Sequence, residues 1–287
     1  MRLSLWGVRG SIATPGPTTV RYGGNTTCLM VETEDRHVVL DAGTGIHPLG
    51  QHLQRKGVLD IDILITHSHM DHIVGFPFFA PLYNPKCRVG VYGKVHYEKT
   101  VGEVLASQMD YSYFPLRAAE LPAKVTFRDL EGTDLALGAT RVRSMMVNHP
   151  VLMQAYRIES GGKSVAFSGD MEPYHDTMDS SEGKTIAESR NRAVVEFFKG
   201  VDVFVCDATY TPAEYPSKKG WGHCSLEHAI WFGGEAGVRH LVLTHHEPSR
   251  DDNQVDALLT EAQGIARRLG YRFASITMGK EGLVIEA

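Results

Sequence analysis

The segment Thr66-His67-Ser68-His69-Met70-Asp71-His72 limits what this chain can become more than any other stretch. It closes residues 61–66, a short run rich in β-branched side chains that reads as a strand buried on both faces. His67 and His69 stand two apart at the end of that strand, so in extended backbone their imidazoles leave on the same face. Asp71 and His72 follow where the chain turns toward the next helix and can address a neighbouring position. Four nitrogen or oxygen ligands within six residues exceed what one tetrahedral zinc with an open position requires. Two metal ions are the economical reading.

Other polar residues close apolar runs in the same manner. Asp41 ends Val38-Val39-Leu40 and precedes Gly43, and His149 follows a strand ending near Met146. Asp170 ends Val165-Ala166-Phe167-Ser168-Gly169, and His245 ends Leu241-Val242-Leu243-Thr244. Such strand ends are where α/β proteins collect catalytic groups. Each residue alone could be a cap or a turn; beside the histidine cluster they read as one site.

The pattern predicts further strands at 3–8, 28–32, 37–40, 88–92, 125–129, 140–146, 154–159, 163–168, 201–207, 239–244 and 282–286. Helical spacing predicts helices over 46–56, 73–80, 95–108, 188–199, 226–237 and 253–270. The stretch 110–122 carries Tyr111, Tyr113, Phe114, Pro115 and Pro122, which suits a lid, packed on the core or stacking on a base. Strands come first in hairpins and later alternate with helices, the order of a sheet-on-sheet sandwich with helices outside. No linker or repeat interrupts the 287 residues, so one domain over 1–287 is expected.

A net charge of −5 gives no global attraction to nucleic acid or an anionic membrane. Cys28, Cys87, Cys206 and Cys224 form no Cys-x-x-Cys pair and read as reduced, buried thiols. The apolar start Leu3-Ser4-Leu5-Trp6 is too short for a signal peptide, and no apolar run approaches the roughly 18 residues of a membrane span. A cytoplasmic protein without a membrane partner is the expectation.

The set Asp41, His67-x-His69-x-Asp71-His72, His149, Asp170 and His245 resembles the ligand pattern of the metallo-β-lactamase superfamily, in the family's order and over nearly the whole chain. The resemblance implies an α/β fold, a four-layer αββα sandwich of two mixed β-sheets flanked by helices, with the site on one edge. It implies one divalent metal ion on His67, His69 and His149, and a second on Asp71, His72 and His245, with Asp170 bridging. Zinc, manganese or iron would serve. Asp41 would accept a hydrogen bond from a ligand imidazole. His246 follows His245 directly, but the family places its ligand straight after Leu-Thr, which favours His245. Relatives are commonly dimers, so the resemblance allows a homodimer.

Within the superfamily, Cys206-Asp207-Ala208-Thr209-Tyr210 with Gly222-His223-Cys224-Ser225 resembles paired motifs of the phosphodiesterase branch, which includes tRNase Z and the cyclic phosphodiesterases of phosphonate metabolism. The opening Gly7-Val8-Arg9-Gly10-Ser11 and Arg21-Tyr22-Gly23-Gly24-Asn25-Thr26 resembles that branch too. The chemistry then expected is hydrolysis of a phosphodiester by a metal-bound hydroxide, with Asp71, His223 and Asp207 acting in catalysis. His223 would protonate the departing alkoxide while Asp207, where relatives often carry Glu, orients it. Only a hairpin turning at Gly161-Gly162 fits between His149 and Asp170, where tRNase Z inserts a long tRNA-gripping arm. With the acidic net charge, this favours a small cyclic diester, a cyclic nucleotide or ribose cyclic phosphate, over a nucleic-acid partner. A thioester or lactone hydrolase and a tRNase Z-like nuclease are the alternatives. Arg9, Arg21 and Asn25 are candidates for phosphate contact or for structural turns, and His175 is left without a role.

Overall fold

The computed structural model describes residues 1–130, 132, 134–175 and 180–287. The first sheet holds β1 (Arg2–Gly7), β2 (Cys28–Glu32), β3 (His37–Leu40), β4 (Asp60–Ile65), β5 (Arg88–Gly93) and β6 (Lys124–Asp129). The second holds β7 (Asp134–Leu137), β8 (Thr140–Met146), β9 (Gln154–Ser160), β10 (Lys163–Phe167), β11 (Val203–Asp207), β12 (His240–Thr244) and β13 (Ser275–Met278). The last strand, β14 (Val284–Glu286), returns to pair with β1, giving two seven-stranded sheets ordered β14-β1-β2-β3-β4-β5-β6 and β13-β12-β11-β10-β9-β8-β7. Both are mixed: β3 to β6 run parallel, as do β10 to β13, while the other pairings are antiparallel.

Alternation within the strands builds the layers. In β2, Leu29 and Val31 face the second sheet while Cys28 and Met30 face outward, and every one is buried. Leu40, Leu64, Tyr156, Phe167, Val205 and Val242 meet in the inter-sheet core. The outer face of the first sheet is covered by α1 (Ile46–Arg55) through Ile46, Leu49 and Leu53, and by α3 (Val101–Ser107) through Val101 and Leu105, whereas α2 (Met70–Ile73) is a single turn beside the histidine loop. Over the second sheet lie α4 (Ser181–Phe198), α5 (Leu226–Glu235) and α6 (Asp252–Leu269), which contribute Val194, Phe198, Ile230, Val255 and Leu258. Strands buried on both faces explain why their sequences read as apolar runs rather than alternations. The result is the expected αββα sandwich.

Several local expectations need correction. No helix spans 73–80; two 3-10 turns stand there, Phe76–Phe78 and Ala80–Tyr83, because Pro77 and Pro81 remove the donors that a continuous helix needs. The helix expected from 95 begins only at Val101, where Thr100 and Glu103 form a capping box. Strands β7 and β13, of four residues each, were not foreseen. In the 110–122 stretch, Tyr111 lies 4.4 Å under the Arg117 guanidinium and Phe114 packs edge-on against Phe78 at 5.5 Å. Among the described residues no helix is long and apolar enough to cross a membrane.

Candidate metal centre and catalytic site

The parallel strands of both sheets end on one edge, and the residues just past those ends converge. Asp41 follows β3, the His67–His72 loop follows β4, Asp170 follows β10, Asp207 closes β11, and His245 follows β12. His149 arrives from the β8–β9 connection and His223 from the loop before α5. Donor atoms of His67, His69, His149 and Asp170 lie within 4.8 Å of one another, as do those of Asp71, His72, Asp170 and His245. Asp170 belongs to both groups: its Oδ2 is 3.6 Å from His67 Nε2, 3.2 Å from His72 Nε2 and 3.3 Å from His245 Nε2.

Four of the five clustered imidazoles are aimed by a bond from Nδ1, while His69 turns its Nδ1 toward His149 Nε2 at 3.2 Å. His72 Nδ1 donates to Asp41 Oδ2 at 2.7 Å. Thr66 gives its hydroxyl proton to the same oxygen at 2.9 Å, which leaves that hydroxyl to accept from His67 Nδ1 at 3.1 Å. Thr209 repeats the device, donating to Asp207 Oδ1 at 2.7 Å and accepting from His245 Nδ1 at 2.9 Å. His149 Nδ1 donates to the Gly222 carbonyl at 2.9 Å. In all four residues Nδ1 holds the ring and Nε2 faces the cluster, the arrangement that raises ligand basicity and fixes the tautomer in metal sites.

Backbone strain marks the same places. Asp41 and His245 sit at φ of 63° and 61°, in the left-handed region that disfavours side-chain-bearing residues. Gly10 passes so close to His245 that a Cβ there would fall 2.2 Å from the ring, and Gly222, at φ 88°, presses equally on His149. These contacts account for two of the glycines in the quoted motifs.

The cluster's carboxylates favour positive charge at its centre. Burial, then the neighbouring His72, holds His67 well below the ordinary imidazole range, and burial brings His149 down to about 4. Burial also opposes charge on His72 and His245, yet Asp170 foremost among the carboxylates around them pushes both well above that range. Asp170 and Asp71 stay well below the carboxylate range despite burial because His72 and His245 face them. Protons on two imidazoles thus do what a divalent ion would do. His67 Nε2 and His72 Nε2, both buried, have no hydrogen-bond partner among the described residues. Neutral imidazoles and ionised carboxylates aimed at common points are the donor set of borderline divalent cations, so the residues present fit the metal.

Beside the cluster, His223 Nδ1 donates to Asp207 Oδ2 at 2.9 Å, with Asp207 wholly buried and His223 only partly so. The His223 ring stacks on His245 at 4.7 Å and lies 5.5 Å from His149. Asp207 also accepts from the backbone of Met171 at 3.1 Å and of Thr209 at 3.0 Å, so its carboxylate is fixed before any ligand arrives.

Other candidates lie elsewhere. Arg9 is fully buried and donates to the carbonyls of Gly23 and Arg250, Arg21 pairs with Asp256 and Asn253, and Asn25 binds Glu281. All three are thus engaged in contacts within the protein that hold the opening loops. His246 points away and pairs with the Gly279 carbonyl at 2.7 Å, and His175 pairs with Glu172 at 2.9 Å and with Tyr215. Sequence reasoning missed Thr66, Thr209, Ser11, whose N–H reaches Asp71 Oδ2 at 2.7 Å, and Glu172, which holds the backbone of Gly220 and Gly222. Thr66, Thr209 and Ser11 lay inside quoted motifs, but Ser11 acts through its backbone N–H, so only the two threonine hydroxyls could have signalled their role.

The chain is 27% identical over 304 aligned residues to ribonuclease BN of Escherichia coli O1:K1, covering 90% of this chain and 95% of that protein. The metallo-beta-lactamase fold protein YhfI from Bacillus subtilis superposes with a TM-score of 0.70 at 17% identity, covering 100% of this chain and 99% of that one. Unliganded yeast PDE1 gives a TM-score of 0.70 at 17% identity, with coverage of 100% and 99%. Residues 36–246, which include every member of the two donor groups, match the family model of the beta-lactamase superfamily domain, and the chain belongs to that superfamily.

Proposed function

We propose that this protein is a binuclear metal-dependent phosphodiesterase acting on a small phosphodiester, with a cyclic nucleotide or ribose cyclic phosphate as the favoured substrate class. The observation that carries the reading is His223: a partly exposed imidazole, anchored through Nδ1 by the buried Asp207 carboxylate, stands against the donor cluster, and its donor atoms gather with those of Asp170, Asp207 and His245 in a third group at the cluster's edge. An acyl hydrolase has an easier leaving group and less use for such an acid, whereas an alkoxide needs one. The sequence relationship to a protein named ribonuclease BN supports a phosphodiester as the bond cut.

His67, His69, His149 and Asp170 would hold one ion, and Asp71, His72, His245 and Asp170 the other. When bound, the ions supply charge neutralisation at the phosphoryl oxygens and acidify water. The chain's own groups do the rest. Asp71, fixed by the Ser11 N–H, orients the attacking water. As that water gives up a proton to solvent and its oxygen bonds to phosphorus, the ester P–O bond breaks and its electron pair passes to the leaving oxygen. His223 Nε2 gives that oxygen a proton while Asp207 stabilises the resulting charge distribution through Nδ1.

A nuclease reading is the second, favoured by the same relative. Between His149 and Asp170 the chain runs only through the β9–β10 hairpin, which supports a compact substrate. The test is a panel of cyclic nucleotides, linear diesters, thioesters and a tRNA precursor offered to purified, metal-analysed protein. Turnover of cyclic or linear diesters well above thioesters supports the reading. Preferential thioester cleavage, or efficient cleavage of the tRNA precursor at physiological salt, overturns it.

A further inference from the structure

We infer that the cavity between His149 and helix α4 is a base-stacking subsite, one that seats the nucleobase, or a comparable planar heteroaromatic group, of a small diester. The inference deepens the phosphodiesterase reading and rests on it for the identity of the reacting group. The cavity has a volume of about 340 Å³ and opens on His149, which belongs to the donor cluster. That size lies near the lower end for small-molecule sites, suiting one nucleoside better than a folded polymer.

Its walls are built for a flat, largely apolar guest. Ile186 and Arg190 project from successive turns of α4 onto the cavity, and Ile186 keeps 42% of its surface exposed there. The Arg190 guanidinium lies 5.2 Å over the Tyr174 ring, so one face is supported while the other remains for a planar ligand. Arg190 has no carboxylate partner among the described residues. Tyr174 is itself held to α4, where Asn191 accepts from its N–H at 2.9 Å and donates to its carbonyl at 3.0 Å. Asn148 donates its amide N–H to the Pro173 carbonyl at 3.1 Å, which turns its side-chain oxygen into an available acceptor for an exocyclic amino group.

The floor offers no competing chemistry. Glu172 is 2% exposed and accepts from His175, Tyr215 and the backbone of Gly220 and Gly222. Its oxygens are committed to the loop that also carries His223. A stacked base would therefore be read by Arg190, Tyr174 and Asn148 while the diester reaches the donor cluster past His149.

The experiment compares adenosine 2′,3′-cyclic phosphate with 1-O-methylribose 2′,3′-cyclic phosphate, which share the reacting ring and differ in the base. The zinc-loaded wild type should favour the adenosine compound in kcat/KM by on the order of 10- to 100-fold, the contribution of one stacked base. Arg190→Ala should cut that ratio at least fivefold, chiefly through KM. Arg190→Lys should cut it similarly, because an ammonium keeps the charge but has no flat face. A wild type without preference, or a lysine variant with the full ratio, would overturn the stacking site. Should neither compound be hydrolysed, the ribose cyclic phosphate substrate class fails and binding decides the subsite. Calorimetry of adenosine 5′-monophosphate with metal-free protein should then show about tenfold weaker binding to Arg190→Ala, and equal affinity would overturn the inference.

Discussion

Replacing His223 by Ala separates proton donation from every other task of the site. Among the described residues the side chain makes one polar contact, to Asp207 at 2.9 Å, so its removal leaves the donor groups and their Nδ1 anchors in place. Loss of a positioned general acid costs about 10²–10⁴ in rate, or about 3–5 kcal/mol of transition-state stabilisation. That loss should appear only where the leaving group needs a proton. On dialkyl and cyclic diesters the full decrement is expected, and on bis(p-nitrophenyl) phosphate a few-fold at most. Asp207→Asn offers a graded version. It exchanges a charge-assisted bond for a neutral one, a difference of about 1–1.5 kcal/mol, and so should lower the alkyl rate roughly tenfold. Because Asp207 also accepts from Met171, Thr209 N–H and the Thr209 hydroxyl, the Asn variant sets a donor against at least one of them. Its melting temperature must be measured beside its kinetics. Steady-state rates on both diester classes, with metal content determined for each preparation, make up the assay. Equal loss on both classes would refute the assignment of His223 as acid, and loss of metal would recast it as a ligand.

The two donor groups predict close to two ions per chain by elemental analysis, falling toward one in His245→Ala; one ion in both proteins would refute the second position. Since Asp170 and the carboxylates around it favour the protonated forms of His72 and His245, metal uptake should release protons, seen as a buffer-dependent heat in calorimetry. Asp41→Ala should weaken metal affinity about 10–100-fold by freeing His72, and destabilise the fold by roughly 1–3 kcal/mol for each bare donor, of which Thr66 N–H is one; unchanged affinity would show that the ring needs no such anchor. Burial opposes the Glu172 carboxylate, but its four donors bring it down to about 2, below the roughly 4.3 of an unfolded chain. Its stabilisation relative to Glu172→Gln should therefore be full above about pH 4.3 and fade as pH falls toward about 2, measurable by urea unfolding of both proteins at pH 7 and pH 3.

The layers were legible because strand ends coincide with abrupt changes from apolar to polar residues, as at Leu40–Asp41 and Thr244–His245. The donor groups were legible because histidine and aspartate are few and their positions at those ends are distinctive. The pairing of Asp207 with His223 came only through family resemblance, since nothing local links residues sixteen apart across a loop. The anchoring by Thr66, Thr209 and the Gly222 carbonyl was invisible for a different reason. Threonine hydroxyls and backbone carbonyls are everywhere, and what makes these three matter is a partner brought near by the fold, such as His149 for Gly222. The helices mispredicted at 73–80 and 95–100 share a cause: apolar spacing was weighed above Pro77, Pro81 and the Thr100 cap.

The pairing of β1 with both β2 and β14 ties the two ends of the chain into one sheet. Synthesis runs from the amino end, so β1 keeps an open edge until β14 appears. The donor groups mature on the same clock. His67, His69, His149 and Asp170 have all been made while His245 is still 75 residues from being added, counting 245 − 170. A nascent chain thus completes one set of donors well before the other.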